Sequence, residues 1–304
     1  MVEVAEDGRH LAKDRGFLTV AAKGAEIGRV PLDDIAAVMA TSPATTASCA
    51  LLAELAERGI PFVLCGRNFA PSGMLWPVAG YHAQQRRIEA QLAAPRPLCK
   101  RLWAQIVSAK ILRQGWALER MGKPCGAFAR LARQVASGDP ENLEAQAARR
   151  YWPLLFGPDF RRDPAGEPPN GLLNYGYAVL RAATARAVVA AGLHPGLGIF
   201  HRHPNDAMPL ADDLMEPFRP VIDVAVCGLV AEGCAEVTAE AKGILVECLQ
   251  TDLATMRGTT PLATCLFRLA AGLGDSFQTR DVDLELPIVV LGRQDEDDAE
   301  GENG

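Results

Sequence analysis

The chain has 304 residues, 49% of them hydrophobic and 22% charged, with 28 Gly, 21 Pro and 8 Cys. Those proportions suit one large or two smaller globular units and exclude a collagen, a disordered chain and a disulfide-rich miniprotein. A net charge of −6 speaks against a nucleic-acid partner until the location of that charge is examined.

The first eighty residues read as mostly strand. Phe17–Ala22 and residues 27–30, separated by Lys23-Gly24, predict a hairpin. Residues 35–40 and 60–65 are apolar runs of buried-strand length. Between them, Leu51, Leu52, Leu55 and Ala56 predict a helix within 46–58, capped by Ser48 and stopped by Gly59. Residues 73–78 predict a last short strand. From Gln84 to residue 152 Ala, Leu, Arg and Gln dominate, and Leu98, Leu102, Ile106, Ala109 and Leu112 keep helical spacing. Residues 161–170 form a charged loop rich in Pro and Gly, and residues 175–191 are again helical, ended by Gly192. Residues 193–212 look irregular, and a helical remainder runs to about Gly274. The expectation is an α+β chain of two domains. A small β-rich unit over 1–83 precedes a larger all-α unit over 84–293, and an acidic tail covers 294–304.

That tail holds six acids and no base, so it carries the whole net charge. Such a run repels itself and is expected to be disordered. Residues 84–150 hold 13 bases against 5 acids, and residues 151–293 hold 11 against 17. A basic middle followed by an acidic block suits a polyanion bound over a metal site. Solvated helix faces would account for the same charges. No two of the eight Cys have C-x-x-C spacing, and most lie among apolar residues, which points to a reducing compartment. The N-terminus is acidic without a signal-peptide core, and no apolar run reaches membrane-spanning length. The expected location is the cytoplasm.

Three stretches could carry chemistry. On a helix, Glu144, Ala148 and Tyr151 share a face, which sets a carboxylate among small and aromatic residues. A first-turn Glu favoured by the helix dipole is the plainer reading. His201 and His203 stand two residues apart in Gly-Ile-Phe-His-Arg-His-Pro. Imidazole binds metals and moves protons near neutral pH, though a loop His is often simply polar. Asp212, Asp213 and Glu216 fall within five residues. On a helix Asp213 and Glu216 are neighbours that repel unless a cation lies between them. A capping box, with Asp213 as N-cap and Glu216 at N3, fits equally well. The chain has no Walker A loop, no G-x-G-x-x-G after a strand and no G-x-S-x-G elbow.

Taken together, these stretches resemble the universal CRISPR adaptation integrase, the endonuclease that inserts new spacers. Asp-Leu-Met-Glu-Pro-Phe-Arg-Pro at 213–220 and the order Glu144, His201, Glu216 are similar to its type II branch. The likeness extends to Asn-Tyr-Gly-Tyr-Ala-Val-Leu at 174–180 and Gly-Leu-His-Pro-Gly-Leu-Gly-Ile-Phe-His at 192–201. It also includes Pro31 to Ile35, Thr45 to Ser48 and Pro71 to Leu75, so it covers nearly the whole chain except the tail.

The resemblance implies an N-terminal β-sandwich and an α-helical C-terminal domain. It implies a homodimer, two such dimers being bridged into a heterohexamer by a small ferredoxin-like CRISPR-associated protein. It implies double-stranded DNA as partner, both prespacer and CRISPR repeat. Glu144, His201 and Glu216 would be the catalytic metal ligands for Mg²⁺ or Mn²⁺, with Asp213 as an accessory acid. The family pattern selects His201 over His203. The implied reaction is attack of a DNA 3′-hydroxyl on a repeat phosphodiester. A metal-dependent repair nuclease and a DNA-binding scaffold without chemistry are the alternatives.

Overall fold

The computed structural model describes residues 2–35, 37–65, 71–75, 84–201 and 206–291. Its N-terminal part is built from β1 (Val2–Val4), β2 (Arg9–Asp14), β3 (Phe17–Ala22), β4 (Ala25–Pro31), β5 (Val38–Ala40), β6 (Thr46–Ala47), α1 (Cys49–Glu57), β7 (Phe62–Cys65) and β8 (Pro71–Met74). The expected hairpin is β3–β4. Lys23 and Gly24 both take positive φ, 50° and 81°, the twist that a two-residue hairpin turn needs. Ser48 caps α1 by accepting the Leu51 N–H at 3.2 Å, and Gly59 closes it at φ 63°. The strand expected at 35–40 is shortened, because Leu32–Asp34 form a 3₁₀ turn and pairing begins at Val38. The strand expected at 73–78 is seen as Pro71–Met74, and residues 76–78 lie outside the described residues. β1 and β2 escaped the sequence reading because polar residues such as Glu3, Arg9, His10 and Lys13 break up their apolar pattern.

These strands make two four-stranded sheets, ordered β1-β5-β7-β8 and β4-β3-β2-β6. Both sheets and α1 supply one core: Val4, Val38 and Phe62 from the first, Leu11 and Leu18 from the second, Leu51 and Leu55 from the helix. The next residues along β5 and β7, Met39 and Val63, point the other way and join the core of the helical part. Strands buried on both faces read as unbroken apolar runs, and these did. Glu3 adds a polar tie by accepting from Tyr175 Oη at 2.7 Å and Lys242 Nζ at 2.9 Å.

The rest is helical, in the order α2 (Gln84–Leu92), α3 (Arg96–Arg120), α4 (Gly126–Gln134), α5 (Leu143–Phe156), α6 (Asn170–Ala190), α7 (Pro209–Met215), α8 (Arg219–Ala231), α9 (Ala239–Glu247) and α10 (Leu262–Thr279). α3 packs on α4, α5 and α8, while α6 packs on α7 to α10. α6 and α8 cross so closely that a Cβ on Gly176 would clash with the Ile222 side chain. The unit is not all-α. β9 (Asp252–Thr255) and β10 (Gly258–Pro261) form a hairpin inside the remainder expected to be helical. Its β-branched Thr255, Thr259 and Thr260, and Gly258 at φ 99°, favour strand and turn over helix. The boundary expected at 83 and the tail at 294–304 lie outside the described residues. All eight Cys are free thiols, and burial pushes Cys65, Cys227 and Cys248 up to about 11. No helix among the described residues is long and apolar enough to cross a membrane.

Candidate active site

Four helices and one loop converge where the sequence placed its candidate acids. Glu144 lies in the first turn of α5. That helix start is fixed twice. Asn142 caps Ala145 N–H at 3.3 Å, and buried Asp139 accepts Leu143 N–H at 2.8 Å and Glu144 N–H at 3.0 Å. Glu216 lies in the 3₁₀ turn between α7 and α8, with its side chain 4% exposed. A single ammonium stands between the two carboxylates. Lys110 Nζ, from the middle of α3, is 2.6 Å from Glu144 Oε1 and 2.5 Å from Glu216 Oε2. The first contact is a hydrogen bond. The second is an ion pair of similar length, made to a buried carboxylate oxygen. Arg219 Nη2 meets Glu216 Oε1 at 3.2 Å. Burial opposes charge on Glu216, yet Arg219 and Lys110 outweigh it and hold the carboxyl below its usual range.

His201 reaches the same place from the loop before α7. Its position depends on Asp213, which has no exposed side-chain surface. Asp213 Oδ2 accepts the N–H groups of Ile199 at 2.6 Å and Phe200 at 3.0 Å, and Oδ1 accepts His201 N–H at 3.1 Å. The same Oδ1 lies 2.6 Å from His201 Nδ1. With Nδ1–H given to a carboxylate, Nε2 carries the free lone pair, the arrangement metal-binding histidines use. That hydrogen bond is the largest cause of the raised His201 pKa. Burial opposes it, and the charges of Asp213, Glu216 and Glu144 add to it. The Trp103 indole, two turns before Lys110 on α3, presents its edge to the imidazole at 5.3 Å and stacks on Phe200 at 4.3 Å. Gly198 is required here, since a Cβ would clash with the His201 carbonyl oxygen.

The structure thus overturns the capping-box alternative. α7 begins at Pro209, so Asp213 is inside the helix and Glu216 follows it. Asp212 turns away to a bidentate pair with Arg181, 2.7 Å at both oxygens. Tyr151 shares α5 with Glu144, but its hydroxyl donates to Asp223 at 2.8 Å. His203 lies outside the described residues. Sequence reading missed Lys110, Asp139, Trp103 and Gln91. A Lys on a helix face otherwise made of Trp103, Val107 and Ile111 was the available signal, because a buried ammonium is costly unless paired.

Gln91 of α2 holds the loop that leads to His201. It donates to the carbonyls of His194 at 3.0 Å and Leu197 at 2.8 Å, and accepts His194 N–H at 2.9 Å. Gln91→Leu orphans these groups, each worth about 1–3 kcal/mol when buried. The expected outcome is a lower melting temperature than the parent's. A melting temperature equal to the parent's would refute this role.

Asp223 sits fully buried under the site, accepting from Tyr177 Oη at 2.5 Å as well as from Tyr151. Burial raises its pKa to about 6 against the hydroxyls and Arg219, which lower it. A folded-state pKa above the unfolded one adds stability at low pH that is lost as pH rises through about 6. Relative to Asp223→Asn, the parent should therefore gain stability as pH falls from 7 to 4. Melting curves with a pH-independent gap would contradict this.

The sequence profile described as CRISPR associated protein Cas1 matches residues 2–242. The chain belongs to the Cas1 family. The CRISPR-associated endonuclease Cas1 of Neisseria meningitidis serogroup C (strain 8013) is 39% identical over 83% of this chain and 84% of its own. A CRISPR-associated endonuclease Cas1 of Thermus thermophilus is 30% identical over 76% of each. Among solved structures, a casposase bound to integration product superposes with a TM-score of 0.79 at 17% identity, over 94% of this chain and 92% of that one. The Cas1 protein of Thermotoga maritima gives 0.73 at 17% identity, over 91% and 96%. These likenesses concern the fold, so in this Cas1-family chain the roles of the site rest on its own geometry.

Among the described residues no group of three or more His, Cys, Asp or Glu stands assembled around a metal position. The donor set nonetheless fits a divalent cation. Two carboxylates already share one cation, one of them almost wholly buried, and an imidazole is held through Nδ1 with Nε2 free.

Proposed function

We propose that the chain is a metal-dependent DNA endonuclease and integrase of CRISPR adaptation, using Glu144, Glu216 and His201 Nε2 to hold Mg²⁺ or Mn²⁺. The observation that carries this reading is the convergence of both carboxylates on one cationic centre, beside a histidine aligned by a buried aspartate. When bound, the cation would lower the pKa of an attacking hydroxyl and offset charge building on the phosphate. The chain's residues do the rest. Asp213 fixes the imidazole, and the buried Trp103 packs its ring against it. Arg219 offsets the buried charge of Glu216. A DNA 3′-hydroxyl attacking a phosphodiester here forms one P–O bond as another breaks, giving a joined strand and a released hydroxyl end, and water in its place yields a cut.

Ten of the 13 bases between residues 84 and 150 are exposed and can meet phosphates, while Arg87, Lys110 and Arg113 are not. Arg96 and Lys100 line a cleft of roughly 400 Å³ next to Phe200, one residue from His201. Backbone contacts of this kind are tolerant of sequence and weaken with salt. A homodimer, and a bridging ferredoxin-like partner that completes a heterohexamer, belong to the same reading. Structural neighbours described as Cas6-RT-Cas1–Cas2 complexes support a partnered assembly. Strand transfer of a short duplex into a supercoiled plasmid with a CRISPR repeat tests the proposal. Joined product that requires Mg²⁺ or Mn²⁺ supports it. Cleavage with no joined product would favour a repair nuclease.

A further inference from the structure

We propose that Lys110 is a displaceable counter-ion, holding Glu144 and Glu216 together and giving way when a divalent cation binds. The inference rests on the metal reading above and adds to it a residue that sets how strongly the metal is held.

Two buried carboxylates facing one space repel, and each is costly to bury without a partner. Lys110 answers both problems at once. Its ammonium is within 2.6 Å of one acid and 2.5 Å of the other, on a side chain only 12% exposed. It stands at the point of closest approach to both acids, so a metal that takes the same oxygens must compete with it. The ammonium meets each acid through a single oxygen, Glu144 Oε1 and Glu216 Oε2, so neither contact is a two-bond lock. Lysine suits such a role better than arginine. It is a compact point charge on a flexible four-carbon stem, whereas a guanidinium would lock onto a carboxylate through two parallel bonds. Arg219 approaches Glu216 from its other oxygen and keeps Tyr177 under its guanidinium at 5.0 Å, so it can remain as Lys110 leaves. The consequence is a site whose acids are held together by the chain's own charge, and which holds metal less tightly than its carboxylates alone would.

Two measurements on the full chain, with Mn²⁺ as probe, test this. The first is calorimetric titration of Mn²⁺ into the parent, Lys110→Met and Glu216→Gln. Lys110→Met should bind Mn²⁺ at least tenfold more tightly and lose more thermal stability in EDTA than in Mn²⁺. A purely structural lysine would lower stability in both and leave Mn²⁺ affinity unchanged. The second needs no variant and stands even if Lys110→Met does not fold. Amine acetylation of the parent, read at Lys110 by mass spectrometry, should rise severalfold when Mn²⁺ replaces EDTA. Acetylation unchanged by Mn²⁺ overturns the displacement, and if the parent binds Mn²⁺ and Glu216→Gln does not, the metal reading still stands. Failure of the parent itself to bind Mn²⁺ overturns both.

Discussion

Glu144→Gln and Glu216→Gln should each abolish strand transfer and cleavage while leaving DNA affinity within about twofold of the parent. Each substitution keeps the side-chain volume and removes one anionic ligand from the centre around Lys110. A metal in such a site supplies several kcal/mol of transition-state stabilisation, and about 1.4 kcal/mol is a factor of ten in rate. A loss of a hundredfold or more follows. Binding should survive because the exposed bases, from Arg86 and Arg96 to Arg149 and Arg150, are untouched. The two variants differ in what they do to the fold. Glu144 is one-fifth exposed, and its loss leaves Lys110 paired with Glu216. Glu216 is almost wholly buried, and its loss leaves Arg219 without that carboxylate, so Glu216→Gln should melt lower. Plasmid strand transfer, a gel-shift titration and a melting curve on the same preparations check all three points. Full activity in either variant would remove that residue from the site.

Asp213→Asn should cost about 10–100-fold in turnover, although Asp213 need touch neither metal nor DNA, as expected when the orienting partner of a ligating histidine is lost. One carboxylate accepts three consecutive backbone N–H groups and the imidazole. An amide has one acceptor oxygen, and its NH₂ would face donors. The loop loses anchors at Ile199, Phe200 and His201 together, at roughly 3–5 kcal/mol for breaking a buried charged network. The pH dependence gives a sharper signature. His201 has a raised pKa, chiefly through its bond to Asp213. A histidine raised in the folded state adds stability that is fully present below its ordinary value of 6.5 and is lost as pH climbs through the raised one. The stability gap between parent and Asp213→Asn should therefore widen as pH falls from 8 to 6, and the His201 pKa should drop when followed by NMR. A gap constant across that range would show that the pair is not charge-coupled.

Much of the fold could be read where local chemistry and tertiary demand agree. The Lys23-Gly24 turn, the Ser48 cap and the apolar runs of β5 and β7 are each determined by a few neighbouring residues. Residues 252–261 were misread because two four-residue strands are too short to show a period against long helical flanks. Among site residues, Glu144, His201, Asp213 and Glu216 drew attention because charge and imidazole stand out in sequence. Their division of labour did not. Asp213 and Glu216 look alike in the chain, and they separate only because Pro209, at the first position of α7, sets the helix phase. One acid then turns to the backbone of the His201 loop and the other to Lys110. Lys110 and Gln91 went unnoticed because their partners are 34 and 103 residues away, a pairing no local pattern encodes.

On the proposed reading Glu144, Glu216 and His201 hold one divalent cation in place of the Lys110 ammonium. Anomalous diffraction from crystals of the full chain soaked in Mn²⁺ tests it most directly. The expected result is one strong peak bounded by Glu144, Glu216 and His201 Nε2, with the Lys110 ammonium withdrawn. A peak away from these three residues, or none under conditions that support strand transfer, would contradict it.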